Sequence, residues 1–143
     1  MQIEEIITRL KAQVASFQSR IEAVADLSSL VKGGRLPNRT PSAYVLPLGL
    51  QALAADIVAG MYRQGMSETF GVVIITNAAN DARGAAGVPD VTGLRDQVIA
   101  ALAGWGSGAV VLEVLRGRLV SLNAGMIIYQ LEFKTTFQIR IAR

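Results

Sequence analysis

The stretch MIIYQLEFKTTFQIRIA, residues 126–142, decides how the chain is read. Every second residue from Ile127 forms one set: Ile127, Tyr129, Leu131, Phe133, Thr135, Phe137, Ile139 and Ile141. Seven of these eight are large and apolar or aromatic, and the eighth is β-branched. The intervening residues Gln130, Glu132, Lys134, Thr136, Gln138 and Arg140 are all polar. A period of two sends successive side chains to opposite faces, so the pattern predicts a strand with one buried and one wet face. At about 3.3 Å per residue such a strand reaches about 50 Å, whereas a domain of this length has a radius of gyration of about 14–15 Å. The strand must bend or run past its own body. In the second case its unpaired edge invites another copy, which makes assembly the leading expectation.

The 143 residues suit one domain, residues 1–143, with one core. Apolar residues make up 51% and charged residues 17%, which excludes a disordered chain. The net charge of +3 is spread along the sequence without a basic run, so it argues only weakly for nucleic acid. Eleven of the 14 basic residues are Arg, the cation that favours interfaces. With no Cys and no His, disulfides, thiol nucleophiles, Ser-His-Asp triads and zinc sites of the usual ligands are excluded. No cofactor or metal is expected. The start, MQIEEIITRL, is acidic and amphipathic, unlike a signal peptide, and no apolar run is long enough to span a membrane.

Working back from the long strand, Asn123-Ala124-Gly125 predicts a tight turn. Two short strands, 109–116 and 118–122, are expected around Arg116-Gly117-Arg118. Residues 90–103 read as a helix capped by Asp90 or Thr92, buried through Val91, Leu94, Val98, Ile99 and Leu102, and stopped by Gly104. Residues 77–90 read as a long loop. Residues 66–76, apolar on both faces from Phe70, predict a central strand. Residues 42–49 predict a short strand in which Pro47 marks an edge or an end. Leu50, Leu53, Ala54, Ile57, Val58 and Met61 have helical spacing and predict a short helix or compact insertion. Ile3, Ile6, Ile7, Leu10, Val14, Phe17 and Ile21 mark one face of an N-terminal helix over residues 2–22. The fold class is α+β: a mostly antiparallel sheet flanked by the helices at about 2–22 and 90–103, with a long C-terminal strand.

No phosphate-binding loop is present. Asp81 with Arg83, or Asp81 with Asp90, forms an imaginable acid–base or metal pair, but solvated loop carboxylates are far more common. Trp105 is read as a plug between helix and sheet, with an interface anchor as the alternative. Arg116 and Arg118 are equally readable as solvated turn charges or as contacts to acidic groups of a neighbour or to phosphates.

The order of elements, with PSAYVLPL, ETFGVVIITN, LRDQVIAALAGW and the closing LEVLRGRLVSLNAGMIIYQLEFKTTFQIR, resembles the tail terminator (tail completion) proteins of long-tailed bacteriophages and related contractile tail particles. Residues 50–65 lie outside the resemblance. It implies a virion protein made in the host cytoplasm. It implies a ring, usually hexameric, that caps the head-proximal end of the tail tube, stops tube growth and offers the surface on which the head docks. The implied partners are further copies of the chain, the tail tube protein, the head–tail connector or stopper, and DNA passing through the lumen without sequence specificity. No membrane partner is expected. The alternatives are another tail or connector component, such as a tube or stopper protein, and, from other classes, a small enzyme or a nucleic-acid-binding module. The residues expected at the interfaces are Arg116, Arg118, Glu132, Lys134, Arg140, Asp81 and Arg83.

Overall fold

The computed structural model describes residues 2–25, 40–77, 88–123 and 125–143. The elements in chain order are α1 (Ile3–Gln13), a 3-10 turn (Ala15–Phe17), β1 (Ile21–Ala23), β2 (Ser42–Val58), β3 (Met61–Asn77), α2 (Val88–Leu102), β4 (Gly106–Ser107), β5 (Val110–Val111), β6 (Glu113–Asn123) and β7 (Met126–Ala142). Five strands form a sheet in the order β1-β2-β3-β7-β6, and β4 pairs with β5 in a separate small hairpin. Only β1 and β2 run parallel; the other pairs of the large sheet are antiparallel. The expected α+β architecture is therefore present.

Both helices cover one face at one end of this sheet. Ile6 and Leu10 of α1 and Leu94, Val98, Ala101 and Leu102 of α2 pack on Ala43, Val45, Phe70, Val72, Ile74, Leu131 and Phe133. The opposite face holds a smaller cluster of Leu46, Val73, Ile75 and Ile128. This is why residues 70–76 are apolar on both sides: β3 is central and buried on each face.

The N-terminal helix is shorter than its periodicity predicts. Ile6, Leu10, Val14, Phe17 and Ile21 are all buried, but the backbone leaves the helix after Gln13. Gln18 and Ser19 adopt positive φ, and parallel pairing with β2 then draws Ile21–Ala23 into the sheet. Residues 26–39 lie outside the described residues. At α2, Asp90 and Thr92 fall inside the helix and not at its cap. Gly104, at φ +74°, ends that helix as expected.

Two further expectations are corrected. Residues 50–61 are not helical: β2 continues to Val58, turns through Ala59-Gly60, and pairs back along β3. Both turn residues have positive φ, as the mirror-image turn of a two-residue hairpin requires. Register shifts between Pro47 and Gly49 and between Ala52 and Ala55 each insert one residue, so the alternation slips and imitates helical spacing. Glycines lie beside both bulges. A Cβ on Gly65 would come within 3.2 Å of Leu53, and one on Gly71 within 3.1 Å of Leu46 and 3.2 Å of Leu48. Gln64 Nε2 donates to the Leu53 carbonyl, 2.8 Å away, which satisfies the backbone oxygen that the second bulge frees.

The second correction concerns Arg116-Gly117-Arg118, which is not a turn. It lies inside the continuous strand β6, whose register against β7 shifts at Val114/Arg116 and again at Leu119/Ser121. Gly117 is needed there because a Cβ would collide with the Tyr129 hydroxyl and ring.

Candidate assembly surface

The long C-terminal strand is present as predicted, over Met126–Ala142, and it pairs with β3 through seventeen consecutive positions from Met126↔Asn77 to Ala142↔Met61. The helices cover only the half nearer the β6–β7 turn. Beyond Phe70 and Phe133, strands β2, β3 and β7 continue as a three-stranded arm with no helix upon it among the described residues. From Phe70 to Met61 the arm projects about 30 Å.

Cross-strand partners share a face, so the registers sort the arm's side chains. The side continuous with the helix-covered face carries Leu50, Ala52, Ala55 and Ile57 of β2, Tyr62 and Met66 of β3, and Phe137, Ile139 and Ile141 of β7. Leu50 is 57% exposed and Ile57 69%. Leu48, Leu53, Val58 and Met61 of the same arm are also exposed. Large exposed apolar side chains gathered on one projection mark an interaction surface.

The other side of the arm is more polar. Arg63 forms a two-pronged ion pair with Asp56, Nε to Oδ1 at 2.9 Å and Nη2 to Oδ2 at 3.0 Å. Level with them across β3 lies Arg140, whose Nε donates to Gln138 Oε1 at 2.9 Å.

The remaining predicted residues divide into two groups. Arg116, Arg118, Glu132 and Lys134 come together on β6 and β7. The Arg116 Nε is 3.0 Å from Glu132 Oε2, the Arg118 Nε is 3.8 Å from the same oxygen, and Gln130 Nε2 donates to it at 3.3 Å. Lys134 Nζ lies 3.8 Å from Glu113 Oε2. The expectation that Gln130 and Glu132 sit on a wet face is corrected, since both are buried. They lie mid-sheet, where two guanidinium groups close over Glu132 from one side and Leu46 and Leu48 crowd Gly71, its partner on the other. The exposed guanidiniums thus hold a buried carboxylate, and alternation alone does not distinguish such a site from a solvated face. Asp81 and Arg83 lie outside the described residues, and with them the loop reading of residues 78–87 and the Asp81 pairs.

Trp105 is half-buried and packs against the main core, as a plug would. One side of its ring faces an open groove of about 490 Å³ lined by Glu4, Glu5, Thr8, Arg9, Ala12 and Trp105. The Arg9 guanidinium stands 5.7 Å from the ring centre, and its Nε donates to the Ala101 carbonyl at 3.0 Å. Among the described residues no group of three or more acidic residues is placed to hold a metal, and no helix is long and apolar enough to cross a membrane.

The family model described as phage tail terminator protein matches residues 1–143. The chain belongs to the phage tail terminator family. This terminator-family chain is a structural protein of the virion tail, and it associates with other tail and head proteins. A chain in the solved structure "Virion of native gene transfer agent (GTA) particle" shares its fold, with a TM-score of 0.54 and 21% identity over 94% of this chain and 92% of that one. No curated protein matches.

The sequence reading missed the arm's β2 half and the Asp56–Arg63 pair. The available signal was Gly60, a turn residue that follows the β-branched pair Ile57-Val58.

Proposed function

We propose that this chain closes into a ring, with six copies, at the head-proximal end of the tail tube, where it stops tube growth and presents the surface on which the head docks. Family membership over the whole chain supports this reading, and the uncovered arm is the observation that carries it. A cyclic ring needs two different patches on each subunit. The arm supplies one, and the body of the adjacent copy covers the arm's apolar side. Arg116, Arg118, Lys134 and Arg140 are contact residues for neighbouring copies or for tube and connector proteins, with Glu132 holding the first two in place. Asp81 and Arg83, outside the described residues, belong to the same proposal. DNA passes through the lumen without sequence-specific contact. The work is assembly, with no catalytic step and no cofactor.

The test is native mass at several concentrations, with and without tail tubes, together with negative-stain images. Closed single rings on tube ends support the reading. Stacked tubes point instead to a tube protein. A monomer under all conditions, tubes included, refutes the ring.

A further inference from the structure

Among the described residues the arm is open along both flanks. On one flank β1 pairs only with Ala43, Tyr44 and Val45, so β2 beyond Leu46 has no outer neighbour among them. On the other flank β6 reaches β7 only as far as Lys134, so Thr135–Ala142 has no described neighbour there either. These two edges differ in how they are protected. β2 carries Pro47 and two bulges, devices that discourage indiscriminate pairing. β7 runs from Thr135 to Ala142 without a proline, a glycine or a register shift. It is a regular template eight residues long.

The charges on the two edges are complementary. Asp56, Arg63 and Arg140 are level across the three strands and point to the same side. Arg63 sits in the middle and pairs with Asp56, whose side chain is still 57% exposed. Arg140, at the far edge, has no acidic partner among the described residues. If arms stand side by side, the Arg140 of one arm meets the Asp56 of the next without any shift along the strands.

We propose that the occupant of the β7 edge is the β2 edge of a second copy, so that arms join flank to flank into one continuous sheet. This rests on the ring reading above and names its contact. Within one arm β2 and β7 point the same way, since each is antiparallel to β3. Rotation about a ring axis preserves that sense, so the junction is a parallel pairing, with Arg140 beside the neighbour's Asp56. Closing the sheet leaves no arm edge exposed, which is how barrels remove the hazard of open strands. The bulges in β2 supply the curvature that closure needs.

The chain has no cysteine, so introduced pairs report without background. Leu53 is level with Gly65, which pairs with Gln138. Inside one chain β3 separates Leu53 from Gln138 by about 10 Å, too far for a disulfide, whose Cα atoms stand about 4.4–6.8 Å apart. Across the proposed junction they are neighbours. The full-length Leu53→Cys/Gln138→Cys protein, oxidised on tail tubes, is expected to give a ladder of linked subunits on denaturing gels, ending at the ring's subunit number. A second variant, Gln51→Cys/Gln138→Cys, is displaced by about two residues and is expected to link at least 10-fold less. Rings of normal native mass that link in neither variant overturn the edge junction and leave the ring standing. Linkage only in the second variant overturns the Arg140–Asp56 contact. Dimers from Gln138→Cys alone show β7 meeting β7, which also overturns it. A protein that stays monomeric even on tubes overturns the junction and the ring reading together.

Discussion

Replacing Leu50 and Ile57 together by threonine separates folding from assembly. Threonine is β-branched, a shape that suits a strand, and it removes most of the apolar surface. Full burial of a Leu or Ile side chain is worth about 1.5–3 kcal/mol. In the isolated chain Ile57 is 69% exposed and Leu50 57%, so the larger part of each is still in water. Covering that remainder would contribute about 1–2 kcal/mol per residue, and threonine, which keeps one methyl group, would forfeit about 1 kcal/mol of it. Each subunit contact therefore weakens by about 2 kcal/mol, or about 30-fold in its equilibrium constant. The fold loses about 1 kcal/mol, enough to lower the melting temperature by only a few degrees in a chain of this size. The assays are thermal unfolding by circular dichroism and native mass across a dilution series with tail tubes present. An assembly midpoint that stays within about 3-fold of the parent refutes the claim that the arm's apolar side is covered in the ring. A loss of folded protein would instead show that the arm's exposed residues hold up the body.

Three other outcomes follow from the structure. The Thr135 hydroxyl is buried and without a hydrogen-bond partner among the described residues, so Thr135→Val should leave chemical stability unchanged or raise it by up to about 1 kcal/mol in a urea titration. Arg116→Ala and Arg118→Ala should each cost less than about 1 kcal/mol because both guanidiniums are largely exposed, whereas the double variant should cost more than the sum, since it strands the buried Glu132; additivity in a double-mutant cycle would count against a shared carboxylate. Burial first, and the nearby Glu22 carboxylate second, hold the Tyr44 phenol above its ordinary pKa. A raised folded-state value favours the neutral form, so its contribution is intact below the unfolded value of about 10 and is lost as pH rises from there through the folded value; Tyr44→Phe should flatten the alkaline fall in melting temperature.

The helices and the central strands were legible because a closed core enforces its pattern. Val91, Leu94, Val98 and Leu102 are buried where their spacing places them, and the same holds for Phe70, Val72 and Ile74. The β7 strand was legible for the same reason, although two of the six residues on its expected wet face are buried. Glu132 and Gln130 show the limit, because a polar side chain in alternation has the same signature whether water or two arginines satisfy it. The β2 half of the arm was illegible for a different reason. Nothing among the described residues covers it, so no packing constraint there keeps its alternation regular, and two inserted residues were enough to make Leu50, Leu53 and Ile57 look like a helix face. Arg116 and Arg118 were misplaced, since a glycine between two charges signals a turn unless a tyrosine on the next strand requires the space.

The unbroken pairing of β3 with β7 makes core and projection a single lever. No joint separates the helix-covered end from the tip, so the direction in which the tip points is dictated by packing at the base. Over a length of about 30 Å, a tilt of about 2° at the base displaces the far end by about 1 Å, enough to misalign a strand-to-strand contact. Volume changes at Phe133 or Leu131, far from any partner, would on this reasoning appear first as poorly seated neighbours, before the subunit itself came apart.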